Sequence, residues 1–91
     1  MSKHHEITVK VVNRLGLHAR PAMELVDLAG TFTSTVTIVR DDQEVDGKSI
    51  MQVMMLAATQ GTVLIVRAEG PDAEKAIKAI RDLIKRGFDE D

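Results

Sequence analysis

The rhythm of apolar and polar positions changes repeatedly along the chain, and each change predicts an element. From Ile7 to Val12, "ITVKVV" is rich in β-branched residues and alternates as a half-buried strand requires. Asn13 and Gly16 break that pattern. Beyond them Ala22, Leu25, Val26 and Ala29 recur at the i, i+3, i+4 and i+7 spacing of a helix with one buried face, stopped near Gly30. "TSTVTIVR" is β-branched again, "DDQ" reads as a hairpin loop, and "EV" as a short third strand before Asp46-Gly47. A second helix is predicted from Ser49 to about Ala58, opened by a Ser-x-x-Gln capping box in which Ser49 accepts from a backbone N–H and Gln52 reaches back. After Gln60-Gly61, "TVLIVRAE" forms a fourth strand whose unbroken apolar middle points to a central, well-covered place. Gly70-Pro71-Asp72 ends it. The last helix carries an apolar stripe of Ala73, Ala76, Ile77, Ile80, Leu83 and Ile84, with Asp72 and Glu74 in its first turn and Lys85, Arg86 and Gly87 at its close.

The order β-α-β-β-α-β-α runs through residues 1–91 without linker or repeat, so one domain is expected. Its class is α+β: a two-layer open-faced sandwich, with a four-stranded, mostly antiparallel sheet covered on one face by three helices. A ferredoxin-like regulatory domain shares this order apart from the last helix, so function has to be argued from the site.

Composition removes several function classes. The 91 residues include no cysteine, which excludes disulfides, thiolate metal sites and cysteine nucleophiles. Twelve basic against fourteen acidic residues give a formal charge of -2, and the aromatics are Phe32 and Phe88 alone. Both facts argue against nucleic-acid binding, which needs a basic face and, for single strands, stacking rings. "MSKHHEITVK" lacks the apolar core of a signal peptide, and no run approaches the ~20 apolar residues of a membrane span. A soluble, cytoplasmic, monomeric protein without cofactor or metal is expected. His4 and His5 lie ahead of the first predicted strand without partners at metal-ligand spacing, and read as solvated terminal residues.

Candidate chemistry concentrates in "NRLGLHARPA", Asn13 to Ala22. Between Ile7 and Ala22 the charged residues are Lys10, Arg14 and Arg20, a local positive patch in an acidic chain. His18 stands where the first helix begins, so unpaired backbone N–H groups and the positive end of the helix dipole favour an anion there. Pro21 fits the first turn, where its missing N–H would have had no partner within the helix. A neutral imidazole is a competent nucleophile near neutral pH, and a phosphoryl group on it leaves readily, which suits a reversible carrier. No Ser or Asp lies close in sequence to complete a triad, and a partner brought up by the fold stays open. As isolated residues, His18 also reads as a partly buried loop histidine or helix cap, and Arg20 as an ordinary solvated side chain.

"NRLGLHARPA" resembles the active-site segment of the HPr family, the histidine-containing phosphocarriers of the bacterial phosphoenolpyruvate-dependent sugar phosphotransferase system. "GKSIM", Gly47 to Met51, resembles that family's second signature, and the element order agrees from about Ile7 to Phe88. The pair of motifs, spaced thirty residues apart, is far more specific than either alone. The resemblance implies a carrier that makes no net chemical change itself. His18 would take a phosphoryl group from the phosphohistidine of enzyme I and pass it to an enzyme IIA domain of sugar transport. Arg20 would stabilise the transferring group, and the main-chain amides around Ala19 and Arg20 would help hold it.

Ser49 reads structurally as the N-cap of the second helix. The resemblance adds that an HPr kinase/phosphorylase would phosphorylate it as a regulatory mark, placing charge beside Ile50, Met51 and Met54, an apolar patch on which partners would dock. Met51, Met54 and Met55 cannot all face one way at helical spacing, so at least one is expected to fill the core. Gln52 stands where many relatives carry glycine. The tail "FDED" is more acidic than the family leads one to expect, which argues against a role for the terminal carboxylate at the site. Other readings remain: a paralogous carrier of the nitrogen-related phosphotransferase branch, a regulatory binding module acting through phosphorylated Ser49, and a ferredoxin-like small-ligand sensor.

Overall fold

The computed structural model describes residues 4–90. Strand β1 is His4–Lys10, helix α1 Ala19–Gly30, β2 Thr35–Arg40, β3 Gln43–Asp46, α2 Ile50–Met55, β4 Val63–Glu69 and α3 Ala73–Lys85, followed by a 3-10 turn over Gly87–Asp89. The strands form one sheet in the order β1-β4-β2-β3, and every pairing is antiparallel. The central place expected of the fourth strand is what the sheet gives it. Its burial alternates, however: Leu64, Val66 and Ala68 point into the core, while Val63 lies exposed on the other face. An apolar run here marks a strand covered on one side only.

The core lies between that inner face and the helices. Val9, Val36, Ile38, Leu64 and Val66 from the sheet meet Leu25 of α1, Val53 of α2, and Ile80 and Ile84 of α3. Helix α3 lies over β1 and β4, while α1 packs against α2 and α3. No helix among the described residues is long and apolar enough to cross a membrane.

Three local readings need correction. His4 and His5 belong to β1, opposite Glu69 and Ala68, with His5 half-buried on the inward side with Ile7 and Val9. Cross-strand pairing to β4 carries β1 back beyond its apolar stretch. Helix α2 stops at Met55, not Ala58, because Arg40 of β2 donates to the carbonyl oxygens of Leu56 at 2.6 Å and Ala57 at 3.3 Å, and Ala57 turns to a left-handed φ of 49°. Asp72 is the N-cap residue of α3 but leaves its helix uncapped. Its carboxylate instead accepts from the amides of Thr33 and Ser34, both at 2.9 Å, and from the Ser34 hydroxyl at 2.5 Å, tying the α1–β2 connection to α3.

Candidate functional site

Asn13 to Leu17 form a tight loop between β1 and α1. Asn13 O accepts from Gly16 N–H at 3.2 Å, and the Asn13 side chain donates through Nδ2 to Gly16 O at 2.8 Å. Gly16 has φ +67°, the left-handed region that glycine enters without a Cβ clash. Leu17 N–H then donates to Ala58 O at 2.9 Å, fixing the loop to the segment after α2.

His18 follows as the N-cap residue of α1, with extended backbone and no capping hydrogen bond from its side chain. The helix ladder starts where Ala22 N–H donates to His18 O at 3.0 Å. The N–H groups of Ala19 and Arg20 therefore have no partner within the helix, and Pro21 has none to offer. No acidic residue stands in the first turn of α1, so the positive end of its dipole is not neutralised from within the helix. The sequence-predicted His18, Ala19 and Arg20 thus share one helix start. Arg20 is on that turn, its side chain 71% exposed, with Nε 3.3 Å from Glu24 Oε1 one turn along. Such an exposed i, i+4 pair is weak, so it leaves the guanidinium free to turn toward an arriving anion.

An acid that sequence reasoning missed completes the site. Glu90 Oε1 lies 2.8 Å from His18 Nε2, although the two residues are 72 positions apart. The same oxygen accepts from Asn13 Nδ2 at 2.8 Å. Asn13 is 2% exposed, and both hydrogen bonds of its amide nitrogen go to oxygen acceptors, which fixes the orientation of the amide. Hydrogen bonds from His18 first, then Asn13, hold the Glu90 carboxyl below its ordinary value, and the charge of Arg20 adds to this. An ionised carboxylate only accepts, so the proton of the contact is on His18 Nε2. Glu90 of the acidic tail thus reaches the site; the terminal carboxylate, whose role the sequence put in question, belongs to residue 91 and lies outside the described residues.

The tail reaches His18 through three consecutive left-handed residues after α3: Gly87, Phe88 and Asp89, with φ of 66°, 56° and 60°. Phe88 is fully buried in the core. That burial stabilises by roughly 2–3 kcal/mol, enough to offset the ~1–2 kcal/mol that a left-handed backbone costs an L-residue. The acidic letters alone carry no sign of this reversal; the apolar Phe88 just ahead of them is the one cue that the tail is anchored.

Ser49 lies at the N-cap of α2, where its hydroxyl accepts from Gln52 N–H at 3.3 Å. The other half of the expected capping box is displaced. Ser49 N–H donates to Asp46 O at 3.1 Å, and Gln52 Oε1 reaches further back to accept from Asp46 N–H at 2.9 Å. None of the three α2 methionines fills the core: Met51, Met54 and Met55 are all exposed, Met51 at 74%. The short helix buries Val53 and is followed by Leu56, so those two take the inward places, with Ile50 packed partly against the core. Since α1 packs on α2, these methionines and the exposed Met23 and Leu15 belong to the helical layer that also carries His18.

Comparison with known proteins agrees with this arrangement. Residues 5–86 match the family model described as the PTS HPr component phosphorylation site. The chain is 47% identical over 87 residues to the phosphocarrier protein HPr of Xylella fastidiosa, covering 96% of each chain. It is also 44% identical over 92 aligned positions to the phosphocarrier protein NPr of Proteus mirabilis, covering all of both. Among solved structures, HPr from Thermoanaerobacter tengcongensis superposes with a TM-score of 0.92 at 45% identity, over 96% of this chain and 98% of that one. With a histidine at a helix start whose first turn carries no acid, in this fold and within this sequence neighbourhood, the chain belongs to the HPr family of phosphotransferase-system phosphocarriers, which carry a phosphoryl group and are not enzymes.

Proposed function

We propose that His18 is the phosphoryl acceptor and donor of this carrier. It takes the group from the phosphohistidine of enzyme I and gives it to an enzyme IIA domain of sugar transport. The observation that carries this reading is the half-exposed His18 ring at the start of α1, where the first N–H groups have no partner within the helix and the first turn carries no acid of its own, a setting that favours an anion. Attack by a ring nitrogen on the donor's phosphorus forms one N–P bond as the other breaks, so the chemistry is nearly balanced and the protein's part is positioning and charge stabilisation. The Ala19 and Arg20 amides hold the phosphoryl oxygens, and the Arg20 guanidinium leaves Glu24 to complete the cradle. Ile50, Met51 and Met54 form the docking face, and Ser49, at its edge, is the site at which an HPr kinase/phosphorylase modulates docking.

Transfer of label from phosphoenolpyruvate through enzyme I tests this. Acid-labile phosphate on wild type and on Ser49→Ala, absent from His18→Ala, is the expected result. Label absent from wild type, or retained by His18→Ala, overturns it.

A second reading is favoured by the full-length match to an NPr: a carrier of the nitrogen-related branch that uses the same His18 with different partners. Label that arrives through that branch's enzyme I homologue, and not through the sugar-branch enzyme, selects it.

A further inference from the structure

We propose that the free edge of β1 is a docking site for an acidic, extended segment of a partner protein, which adds to the sheet as a further strand beside Lys10, Arg81 and Lys85. The order β1-β4-β2-β3 leaves β1 with β4 as its one neighbour among the described residues. Val11 N–H donates to Thr62 O at 2.9 Å, and Val11 O accepts from Gly61 N–H at 2.7 Å, so Val11 turns both main-chain groups toward the chain entering β4. Antiparallel pairing alternates that direction from residue to residue. Lys10, Thr8 and Glu6 therefore point their N–H and C=O groups to the open side, where no described strand meets them. Such a row is a template for another main chain.

What lies along the edge selects the occupant. A groove of about 300 Å³ runs between β1 and α3, lined by Thr8, Val9, Lys10, Val12, Arg81 and Lys85, with no acid among them. Lys10 and Lys85 make no ion pair with a described residue, and Arg81 meets the carboxylate of its neighbour Asp82 at 3.0 Å. In a chain of formal charge -2 this is a local positive strip. Successive side chains of an added strand point to opposite faces. On one face they meet Arg81 and Lys85 of the helix layer, and on the other Lys10, so acids on either face find a cation. Val12, 43% exposed, adds an apolar contact. A nucleic acid or a lipid headgroup would use the charge alone, whereas a peptide strand uses the charge and the row of main-chain groups together.

A second copy of this chain fits less well. Its β1 would bring Glu6 as the one acid, and that carboxylate already holds Arg67 at 3.2 Å. The edge also lies across the sheet from β3, the strand that α2 contacts, so a segment seated on β1 leaves Met51 and Met54 of α2 uncovered. One molecule can then hold a partner at β1 while its helical face stays open.

The test uses the full chain labelled with nitrogen-15 and, as probe, a blocked peptide of alternating glutamate and valine. Amide shifts locate the peptide, and hydrogen exchange reads main-chain pairing. Expected at saturation are shifts centred on β1, with exchange of the Glu6, Thr8 and Lys10 amides slowed on the order of tenfold or more. Lys10→Glu combined with Lys85→Glu, both at exposed positions, should weaken binding about tenfold while a thermal melt shows the variant folded. Methylating the probe's internal peptide nitrogens keeps its charge but removes its donors, and should abolish the protection. Equal binding by the methylated probe, by the double variant or by a lysine-for-glutamate peptide overturns the proposal, and so does no binding at all. Shifts centred on His18, Ala19 and Arg20 overturn it too, by placing the acid at the helix start. So does protection of the edge amides that rises with protein concentration without peptide, which gives the edge to a second copy. Tighter binding of a short RNA or of anionic lipid vesicles, with the edge amides still exchanging, overturns it in favour of charge alone. None of these measurements needs phosphoryl transfer, so they judge the β1 edge separately from His18.

Discussion

Gly16 lies against the carbonyl of Ala58 so closely that a Cβ on it would sit 2.4 Å from that oxygen. The same oxygen accepts from the neighbouring Leu17 N–H at 2.9 Å. The loop that presents His18 is therefore clamped, main chain to main chain, onto the segment after α2. Gly16→Ala meets both a forbidden contact and a left-handed φ, and its expected cost is about 2–3 kcal/mol of stability. Denaturant unfolding measures that loss; a variant as stable as wild type would show that the loop is not held this way.

Acid should weaken the tie between Asp72 and the α1–β2 connection. The Ser34 hydroxyl, then the Thr33 and Ser34 amides, hold the Asp72 carboxyl down to about 2 from an ordinary 3.8. The unfolded chain takes up this proton more readily than the folded one. The contribution of Asp72 is therefore fully present above the ordinary value and is lost as pH falls toward the depressed one. Asp72→Asn is expected to be less stable than wild type at neutral pH, with the difference shrinking in the acid range. A difference independent of pH would sink the prediction.

Ser49→Ala removes the hydroxyl that accepts from Gln52 N–H, and should cost ~1 kcal/mol while leaving His18 phosphorylation intact. A phosphate on Ser49 should act otherwise: it brings about -1.5 to -2 charge to the helix start beside the exposed Met51. Transfer from enzyme I is expected to slow while thermal unfolding shows the fold retained. Equal transfer rates with and without the phosphate would reject this.

The exposed methionines separate docking from stability. Met51→Ala with Met54→Ala should change stability by no more than about 0.5 kcal/mol, because these side chains are solvated, yet weaken binding to enzyme I roughly tenfold. Leu56→Ala, in the core two residues beyond Met54, should do the reverse and cost about 2–5 kcal/mol of stability. Titration calorimetry and denaturant melts on the same samples give both values; unaltered enzyme I binding by the double methionine variant would remove this face from the interface.

How far the sequence reveals this protein follows from the range over which each signal acts. The buried stripe of α3, the alternation in β1 and the cap at Ser49 are set by neighbours within a turn or two, so the period and the capping residues disclose them. His18 at a helix start is local as well. The end of α2 is not, since it depends on Arg40 reaching across from β2 and on a left-handed Ala57 that no glycine announces. Nor is the strand pairing of His4 and His5, which belongs to β4. Glu90 was hidden for the same reason: its contact with His18 depends on where two distant backbones meet, and left-handed turns at Phe88 and Asp89 make the meeting.

The place of β4 has a consequence for how the molecule comes to exist. β1 has only β4 as a neighbour, pairing His4 with Glu69, and β2 also needs β4 to join anything beyond its hairpin with β3. Until residues 63–69 arrive there is a strand, two helices and a hairpin, but no four-stranded sheet. Assembly is then a single late closure over long chain distances, which sets folding toward the slower side for a domain of this size. The loop bearing His18 hangs from the end of β1, so before that closure the nucleophile exists as a residue and not yet as a site.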